Sequence, residues 1–259
     1  MGYSSIFVPD LPGWGCSSRP TFRGQQVGHA VEFFLTPLVT WLDSLSLAQF
    51  TLCGHSLGAY LAHEYTSRHP ARVRRLILAS PAAITRHTPV SLAAWFSFTP
   101  QRFMTHGGLL AHIFFAMRYP TDPAYNVLGM RELTLFVNSV AHQSGDAAAA
   151  KMLRFCRVGP TRWQAECVRP LLERVARLEC PVDLITGDND ALVHVEAVRT
   201  LHKALVAVGN EARLNVISGA DHSPHICAPD RFAKAIMRGM EPAIAGAKAV
   251  ASPSRLIKA

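Results

Sequence analysis

The ten residues Thr51–Tyr60, TLCGHSLGAY, hold one serine, Ser56, between two glycines and directly after an apolar, β-prone run. A serine hydroxyl is a weak nucleophile unless a neighbouring base activates it. The pattern G-x-S-x-G between a strand and a helix is typical of a sharp, strained turn that projects a nucleophilic hydroxyl above a sheet. We therefore predict that Ser56 is a nucleophile and that a side chain at Gly54 or Gly58 would clash within the turn. His55 is interpreted as a structural residue that packs beside it.

A serine nucleophile needs a base, and the base needs an acid that orients it. In an architecture of this kind the order along the chain is serine, acid, histidine, each following a strand. The stretch DNDALV follows the apolar run VDLITG and offers Asp188 and Asp190, whereas no acidic residue directly follows LILAS. The stretch GADHSPH follows RLNVIS and offers His222 and His225. The position of His222 in the last strand-to-helix loop favours it as the base.

The elements that must position these residues alternate along the chain. Predicted strands are SSIFVPD, FTLCG, VRRLILAS, CPVDLITG and ARLNVIS, and amphipathic helical stretches separate most of them, the first of which Pro37 is expected to kink. Such alternation predicts an α/β fold with a mostly parallel sheet that is covered on both faces.

The alternation is lost between residues 81 and 179, where the chain is aromatic and rich in arginine. We interpret this stretch as an inserted helical cap. The predicted organisation is a first part of the core at residues 1–81, the cap at 82–178, a second part of the core at 179–248 and a flexible tail at 249–259.

Composition limits the class of protein. The chain has 259 residues, of which 49% are hydrophobic and 17% charged, so it can bury a substantial core. The longest apolar run is too short to span a bilayer, and the first residues do not have the pattern of a secretory signal. Six cysteines without a CxxC pair favour free thiols over disulfides or a zinc site, which indicates a reducing, cytoplasmic location.

The net charge of +8 is uneven, because residues 86–178 hold eleven Lys and Arg against five Asp and Glu. One interpretation is an ordinary solvated basic face; the other is attraction to an anionic lipid surface, with peripheral contact to membranes or lipid droplets. No nucleic-acid-binding motif accompanies the charge, so nucleic acid is not an expected partner. In the second interpretation, part of the cap enters a membrane interface through aromatic residues beside two arginines: Trp95, Phe96, Phe98, Phe103, Arg102 and Arg118.

The motifs together resemble the α/β-hydrolases with a helical cap, and more narrowly the branch of the abhydrolase domain proteins four and five. The stretches DLPGWGCSSRP, GHSLGAYLAHEYTSRHPARVRRLILASP, TGDNDALV and GADHSPHICAPDRF carry the resemblance. It implies an α/β-hydrolase fold, with Ser56 as nucleophile, Asp190 as acid and His222 as base, and with the backbone N–H of Leu57 in an oxyanion hole. It also implies hydrolysis of acyl esters, lysophospholipids or other lipids among them, with no metal or organic cofactor.

Two departures from that branch affect the expectations. Some members carry an H-x4-D motif linked to acyl transfer, whereas Cys227 stands at the last position of that motif here, so acyltransferase activity is not expected. The stretch SSIFVPD corresponds to the fourth strand of the family's sheet, which predicts an N-terminally truncated chain without the loop that supplies a second oxyanion donor. Loss of one such donor costs about 10²–10³ in turnover.

Alternatives from other functional classes stay open at this point. A weakly active or inactive binding protein on the same scaffold, similar to a lipase co-activator, would not need all three of Ser56, Asp190 and His222. A peptidase similar to the proline iminopeptidases would need an acidic group in the cap to hold the substrate's amino terminus, and this segment is basic.

Overall fold

The computed structural model describes residues 5–90, 107–111, 113, 117, 144–160 and 162–240. Within these ranges there are seven strands, which in chain order are β1 (Phe50–His55), β2 (Val73–Ala79), β3 (His87–Val90), β4 (Leu153–Arg157), β5 (Trp163–Cys167), β6 (Val182–Gly187) and β7 (Ala212–Ile217). Four of them form the central parallel sheet in the order β1-β2-β6-β7. The predicted parallel sheet is therefore confirmed.

Six α-helices are described: α1 (Val27–Ser44), α2 (Leu57–Arg68), α3 (Ser144–Met152), α4 (Val195–Ala207), α5 (Pro224–Cys227) and α6 (Pro229–Met240). Residues 107–111, 113 and 117 are also helical, and two 3₁₀ helices, at Pro70–Arg72 and Leu171–Arg177, complete the described helical segments. The helix α1 runs through Pro37 as one element, and its face with Val31, Phe34 and Leu35 is buried.

The two faces of the sheet contribute to separate apolar cores, as the strand period of two requires. Leu76, Leu78 and Leu184 pack with residues of α1, α2 and α4, whereas Ile77 and Ile185 pack with residues of α6. Helices thus cover both faces. This arrangement leaves the carboxyl ends of the strands as the place where loops can bring distant side chains together.

Residues 5–10, which were predicted to form a strand, have no secondary structure. An apolar segment becomes a strand only when it pairs with a neighbour, and no described strand lies beside it. Ile6 and Val8 are accordingly 79% and 88% exposed, and the ring of Phe7 only touches that of Trp41 edge-on. The strand prediction for this segment was wrong.

The segment between residues 81 and 179 also differs from the expectation of a purely helical cap. Its described part holds α3 and a three-stranded antiparallel sheet in the order β3-β5-β4. The predicted break at VGPT is the turn of the β4–β5 hairpin, where the Val158 amide donates to the Arg162 carbonyl. The strand β3 pairs with β5 although more than 60 residues separate them along the chain. Such pairing cannot be recognised from local periodicity. Trp95, Phe96, Phe98, Phe103, Arg102 and Arg118, and the tail at 249–259, lie outside the described residues.

The helix α3 is fixed to the core by close contact with the GWG turn. The Trp14 indole N–H donates to Asp146 Oδ1 at 3.1 Å, and its ring stacks on Phe34. A Cβ at Gly145 would lie 2.6 Å from the Trp14 ring, so only glycine fits there.

Candidate active site

Ser56 lies at the turn between β1 and α2 with φ +52° and ψ −117°, a conformation that costs a non-glycine residue free energy. The turn is held on both sides, because the Ser56 amide donates to the Ala79 carbonyl and the Ala82 amide donates to the Ser56 carbonyl. Backbone strain at a residue whose surroundings fix it is characteristic of functional sites.

The expectation about the two glycines of the turn is half correct. A Cβ at Gly54 would lie 2.3 Å from the Gly58 carbonyl oxygen, so the close approach of the two backbones requires glycine at this position. A Cβ at Gly58 meets no described atom within 4 Å, so the clash expected there was wrong.

Three side chains from three different loops form a continuous chain of hydrogen bonds. The Ser56 hydroxyl lies 3.0 Å from His222 Nε2, and His222 Nδ1 lies 2.9 Å from Asp190 Oδ2 and 3.1 Å from Oδ1. The carboxylate can only accept, so His222 Nδ1–H is the donor and Nε2 is free to accept from the serine. The structure thus brings together the three residues selected from the sequence.

The acid is fixed and kept ionised by its own loop. Asp190 Oδ1 accepts hydrogen bonds from the amides of Leu192 and Val193 at 2.9 and 2.8 Å. Burial raises the pKa of Asp190, but the hydrogen bond from His222 and those two amides outweigh the burial, so the net pKa lies below its usual value.

Asp188, the other carboxylate offered by the sequence, has a different partner. It accepts a hydrogen bond from the Gly219 amide and so ties the loop after β6 to the loop after β7. Gly219 has φ +71°, where only a residue without a Cβ is unstrained.

His55 does more than the packing expected from the sequence. Its Nε2–H donates to the carbonyl oxygen of His222 at 2.7 Å, and its ring lies between those of His222 and His225. Burial, reinforced by His222 and His225, lowers the pKa of His55 to about 3. The sequence holds one hint of this contact, the position of His55 directly before Ser56.

Leu57 is the first residue of α2, so its amide N–H has no acceptor within the helix. A helix N-terminus carries partial positive charge, which suits an oxygen that becomes negative in a reaction at Ser56.

A mostly apolar cavity of about 130 Å³ lies beside these residues. Its wall includes Ala82, whose amide contacts Ser56, and Leu192 and Val193, whose amides contact Asp190. The remaining wall comes largely from the segment 83–90 together with Leu153, Ala165 and Ala197. The small antiparallel sheet therefore forms one wall of this cavity, whose lining reaches Ser56 and Asp190 only through the neighbouring Ala82, Leu192 and Val193.

No group of three or more His, Cys, Asp or Glu in the described part of the chain could hold a metal ion. Among the helices that the structure describes, none combines the length and the apolar character of a bilayer-spanning segment.

Comparison with known proteins agrees with this architecture. Residues 5–229 match the alpha/beta hydrolase fold family, and the chain belongs to that family. A solved bromoperoxidase from Bacillus anthracis has a TM-score of 0.66 at 18% identity, over 90% of this chain and 80% of that chain, which shows the shared fold.

Three relatives carry names from lipid metabolism or from the expected branch. A probable 1-acylglycerol-3-phosphate O-acyltransferase of Oryza sativa subsp. japonica is 28% identical over 206 residues, or 71% of this chain and 49% of the relative. A (lyso)-N-acylphosphatidylethanolamine lipase of Bos taurus is 46% identical over 72 residues, which cover 28% of this chain and 21% of the lipase. The abhydrolase domain-containing protein abhd-5.2 of Caenorhabditis elegans is 37% identical over 87 residues, which cover 34% of this chain and 19% of that protein. The predicted superfamily and branch are confirmed, and the chain spans about half the length, or less, of these curated relatives.

Proposed function

We propose that this protein is a serine hydrolase of carboxylic esters with lipid-like acyl groups. Ser56 Oγ attacks the ester carbonyl while its proton passes to His222 Nε2, and the leaving alcohol takes that proton as the C–O bond breaks. Water then attacks the acyl-enzyme, gives its proton to His222 and releases the acid, while the proton on His222 returns to Ser56. Asp190 holds the imidazole in the required tautomer, and the Leu57 N–H stabilises the oxyanion.

The observation that carries this proposal is the hydrogen-bonded path from Asp190 through His222 to Ser56, all within 3.1 Å per contact. Nucleophilic catalysis by serine needs three groups: a serine on a strained turn, a base within reach of its hydroxyl and an acid that orients the base. A binding protein would not need them in this geometry.

The apolar cavity supports an acyl chain as the substrate group that is bound. Its lining is mostly alanine, leucine, isoleucine, valine and proline, with Thr85, His87, Thr88 and His194 as the polar members, and such a mostly apolar wall suits an acyl chain. The names of the plant and bovine relatives point to glycerophospholipids as a substrate class. We therefore expect lysophospholipids and medium-chain esters to be hydrolysed.

The proposal is tested by labelling with a fluorophosphonate probe and by hydrolysis of p-nitrophenyl esters of increasing chain length. Labelling should map to Ser56 and disappear in Ser56→Ala, with a loss of ester turnover of up to about 10⁶-fold. An adduct on another residue, or equal labelling of the variant, would contradict the proposal. A wild-type protein that binds lipid but neither labels nor hydrolyses would favour the binding-protein alternative.

Peripheral contact with an anionic lipid surface is the second part of the proposal. Residues 107–111 are helical, and apolar side chains four residues apart, Leu109, Ile113 and Met117, are 75%, 46% and 77% exposed. Exposed arginines such as Arg154 and Arg157 belong to the same basic segment. An exposed apolar face within a basic segment of the chain suits the interface of an anionic membrane.

Co-sedimentation with vesicles checks this contact. Binding to phosphatidylcholine vesicles that contain phosphatidylserine should exceed binding to pure phosphatidylcholine and should weaken with added salt, since each basic residue near the surface contributes about 1 kcal/mol. Replacing Leu109 and Met117 with serine should weaken binding, whereas Val206→Ser, which removes another half-exposed apolar side chain on α4, should not. Equal binding to both vesicle types would remove the electrostatic contribution.

A further inference from the structure

We propose that His55 is a positioning residue whose hydrogen bond to the His222 carbonyl holds the base against Ser56. This inference rests on the proposed function and adds a fourth residue to it. His55 would act through His222, because its Nε2 bonds the backbone carbonyl of His222 rather than the Ser56 hydroxyl.

The sheet order explains why such a bond is needed. Ser56 follows β1 and His222 follows β7, and these strands are the two edges of the four-stranded sheet, with β2 and β6 between them. The hydrogen bonds of a sheet connect only neighbouring strands, so none of them fixes the serine turn directly to the histidine loop.

The histidine loop is tied to the β6 side by several bonds, among them those from the Asn189 amide to the Ala220 carbonyl, from the Gly219 amide to Asp188 and from His222 to Asp190. On the β1 side, two hydrogen bonds join the described residues of the serine turn to those of the histidine loop. His55 donates to the His222 carbonyl, and the Ser56 hydroxyl contacts His222 Nε2. When the serine is acylated it has lost the proton of that second contact. The bond from His55 to the His222 carbonyl does not depend on the serine hydroxyl, so it still holds the loop on this side.

The electrostatics of His55 fit a fixed donor better than a proton carrier. A carbonyl oxygen can only accept, so the proton of the neutral ring must be on Nε2. Burial lowers the pKa of His55 to about 3, so the ring is neutral at neutral pH. It can therefore lie 4.9 Å from the His222 ring without opposing the positive charge that His222 gains as it accepts the serine proton.

A matched pair of substitutions separates this role from packing. His55→Phe keeps a ring in the same space but removes the donor. His55→Gln restores an N–H donor at the same number of bonds from the backbone. His202→Phe is the control, because His202 Nε2 also bonds a backbone carbonyl, that of Ala212 at 3.3 Å, which begins the strand at the opposite edge of the sheet from the strand before Ser56.

The measurements are kcat and KM with p-nitrophenyl butyrate, the rate of fluorophosphonate labelling at Ser56, and the urea midpoint of unfolding. His55→Phe should lower kcat and the labelling rate by about 10–100-fold with little change in KM, because a small misplacement of a reacting group has effects of this size. His55→Gln should recover most of the loss. His202→Phe should leave kcat unchanged, even if its urea midpoint falls as much as that of His55→Phe.

The outcomes distinguish the two proposals. If wild type labels at Ser56 and His55→Phe labels equally fast, the positioning role is wrong and the proposed function stands. The positioning role is also wrong if His55→Phe and His55→Gln lose activity only in proportion to their unfolded fraction. If wild type neither labels nor hydrolyses, the proposed function is overturned, and the positioning role with it.

Discussion

The two ends of the central sheet each hold a buried contact between a basic and an acidic side chain, and the two contacts are nearly identical in geometry. At the carboxyl end, His222 and Asp190 are in contact at 2.9 Å with side chains 10% and 0% exposed. Towards the amino end, Arg75 on β2 and Asp183 on β6 are in contact at 3.0 Å with side chains 10% and 0% exposed. The exposure of the side chains and the distance between them therefore do not distinguish the candidate active site from a structural pair in this molecule.

The third partner of each pair makes the difference. Arg75 also contacts Glu211, a half-exposed carboxylate that pairs with Arg213 as well. His222 continues to Ser56, a hydroxyl on a strained turn beside an apolar cavity. We infer that the Arg75–Asp183 pair at the amino end has a structural role. The His222–Asp190 pair lies at the carboxyl end, where the loops meet, and His222 can there accept a proton from Ser56.

The largest expected effect comes from a substitution in the pair at the carboxyl end. Asp190→Asn should lower kcat by about 10⁴-fold, because the amide cannot hold His222 in the tautomer that accepts from Ser56. Asp188→Asn is the matched control, since Asp188 bonds the Gly219 amide rather than His222, and its loss should cost far less. Steady-state kinetics on an ester substrate check both variants. The reverse ranking would show that the wrong carboxylate was selected.

Part of this site could be predicted from the sequence because its signals are local. The strand, glycine and serine around Ser56 are contiguous, and position after a strand favoured His222 and offered Asp188 and Asp190 as the acid, of which the resemblance to the hydrolase family selected Asp190. The contact from His55 was missed, because it depends on a loop that returns from the far edge of the sheet.

The fold shows the same limit. Alternation of strands and helices predicted the parallel sheet, whereas the β3-β5-β4 sheet depends on pairing between segments more than 60 residues apart. The segment at residues 5–10 has the composition of a strand, but composition alone does not provide a neighbour with which to pair. Open space at Gly58 likewise depends on which backbone faces the turn.

The second prediction concerns a substitution in the pair at the amino end. Asp183→Asn should lower the free energy of unfolding by about 3 kcal/mol, because it leaves the charge of the buried Arg75 with a weaker partner. Glu211→Gln, on the exposed side of the same arginine, should cost at most about 1 kcal/mol. Urea unfolding measures both effects. Turnover per folded molecule should stay at the wild-type value in each variant, and a selective loss of kcat in Asp183→Asn would contradict the division between the two ends.

The smallest expected effect concerns pH and two buried histidines. Burial lowers the pKa of both His55, at the carboxyl end, and His63, midway along α2, to about 3, with the arginines around His63 adding to its shift. An unfolded chain binds these protons near pH 6.5, so below that pH it holds more protons than the folded chain. Stability is therefore complete above about pH 6.5 and declines as the pH falls towards 3.

Each of these histidines should account for a loss of about 1 kcal/mol between pH 6.5 and 5.5, measured as the change in the free energy of urea unfolding. His63→Phe and His55→Phe should each flatten this dependence by a similar amount, because each removes one group that titrates only in the unfolded chain. The two variants should differ in turnover, since His63 lies within α2 and makes none of the hydrogen bonds that join Ser56, His222 and Asp190. An unchanged pH dependence in His63→Phe would show that the pKa of this ring is the same in the folded and the unfolded protein, and so would contradict the lowered pKa. An equal loss of kcat in both variants would mean that disturbed packing around α2, rather than the bond from His55, reaches the serine.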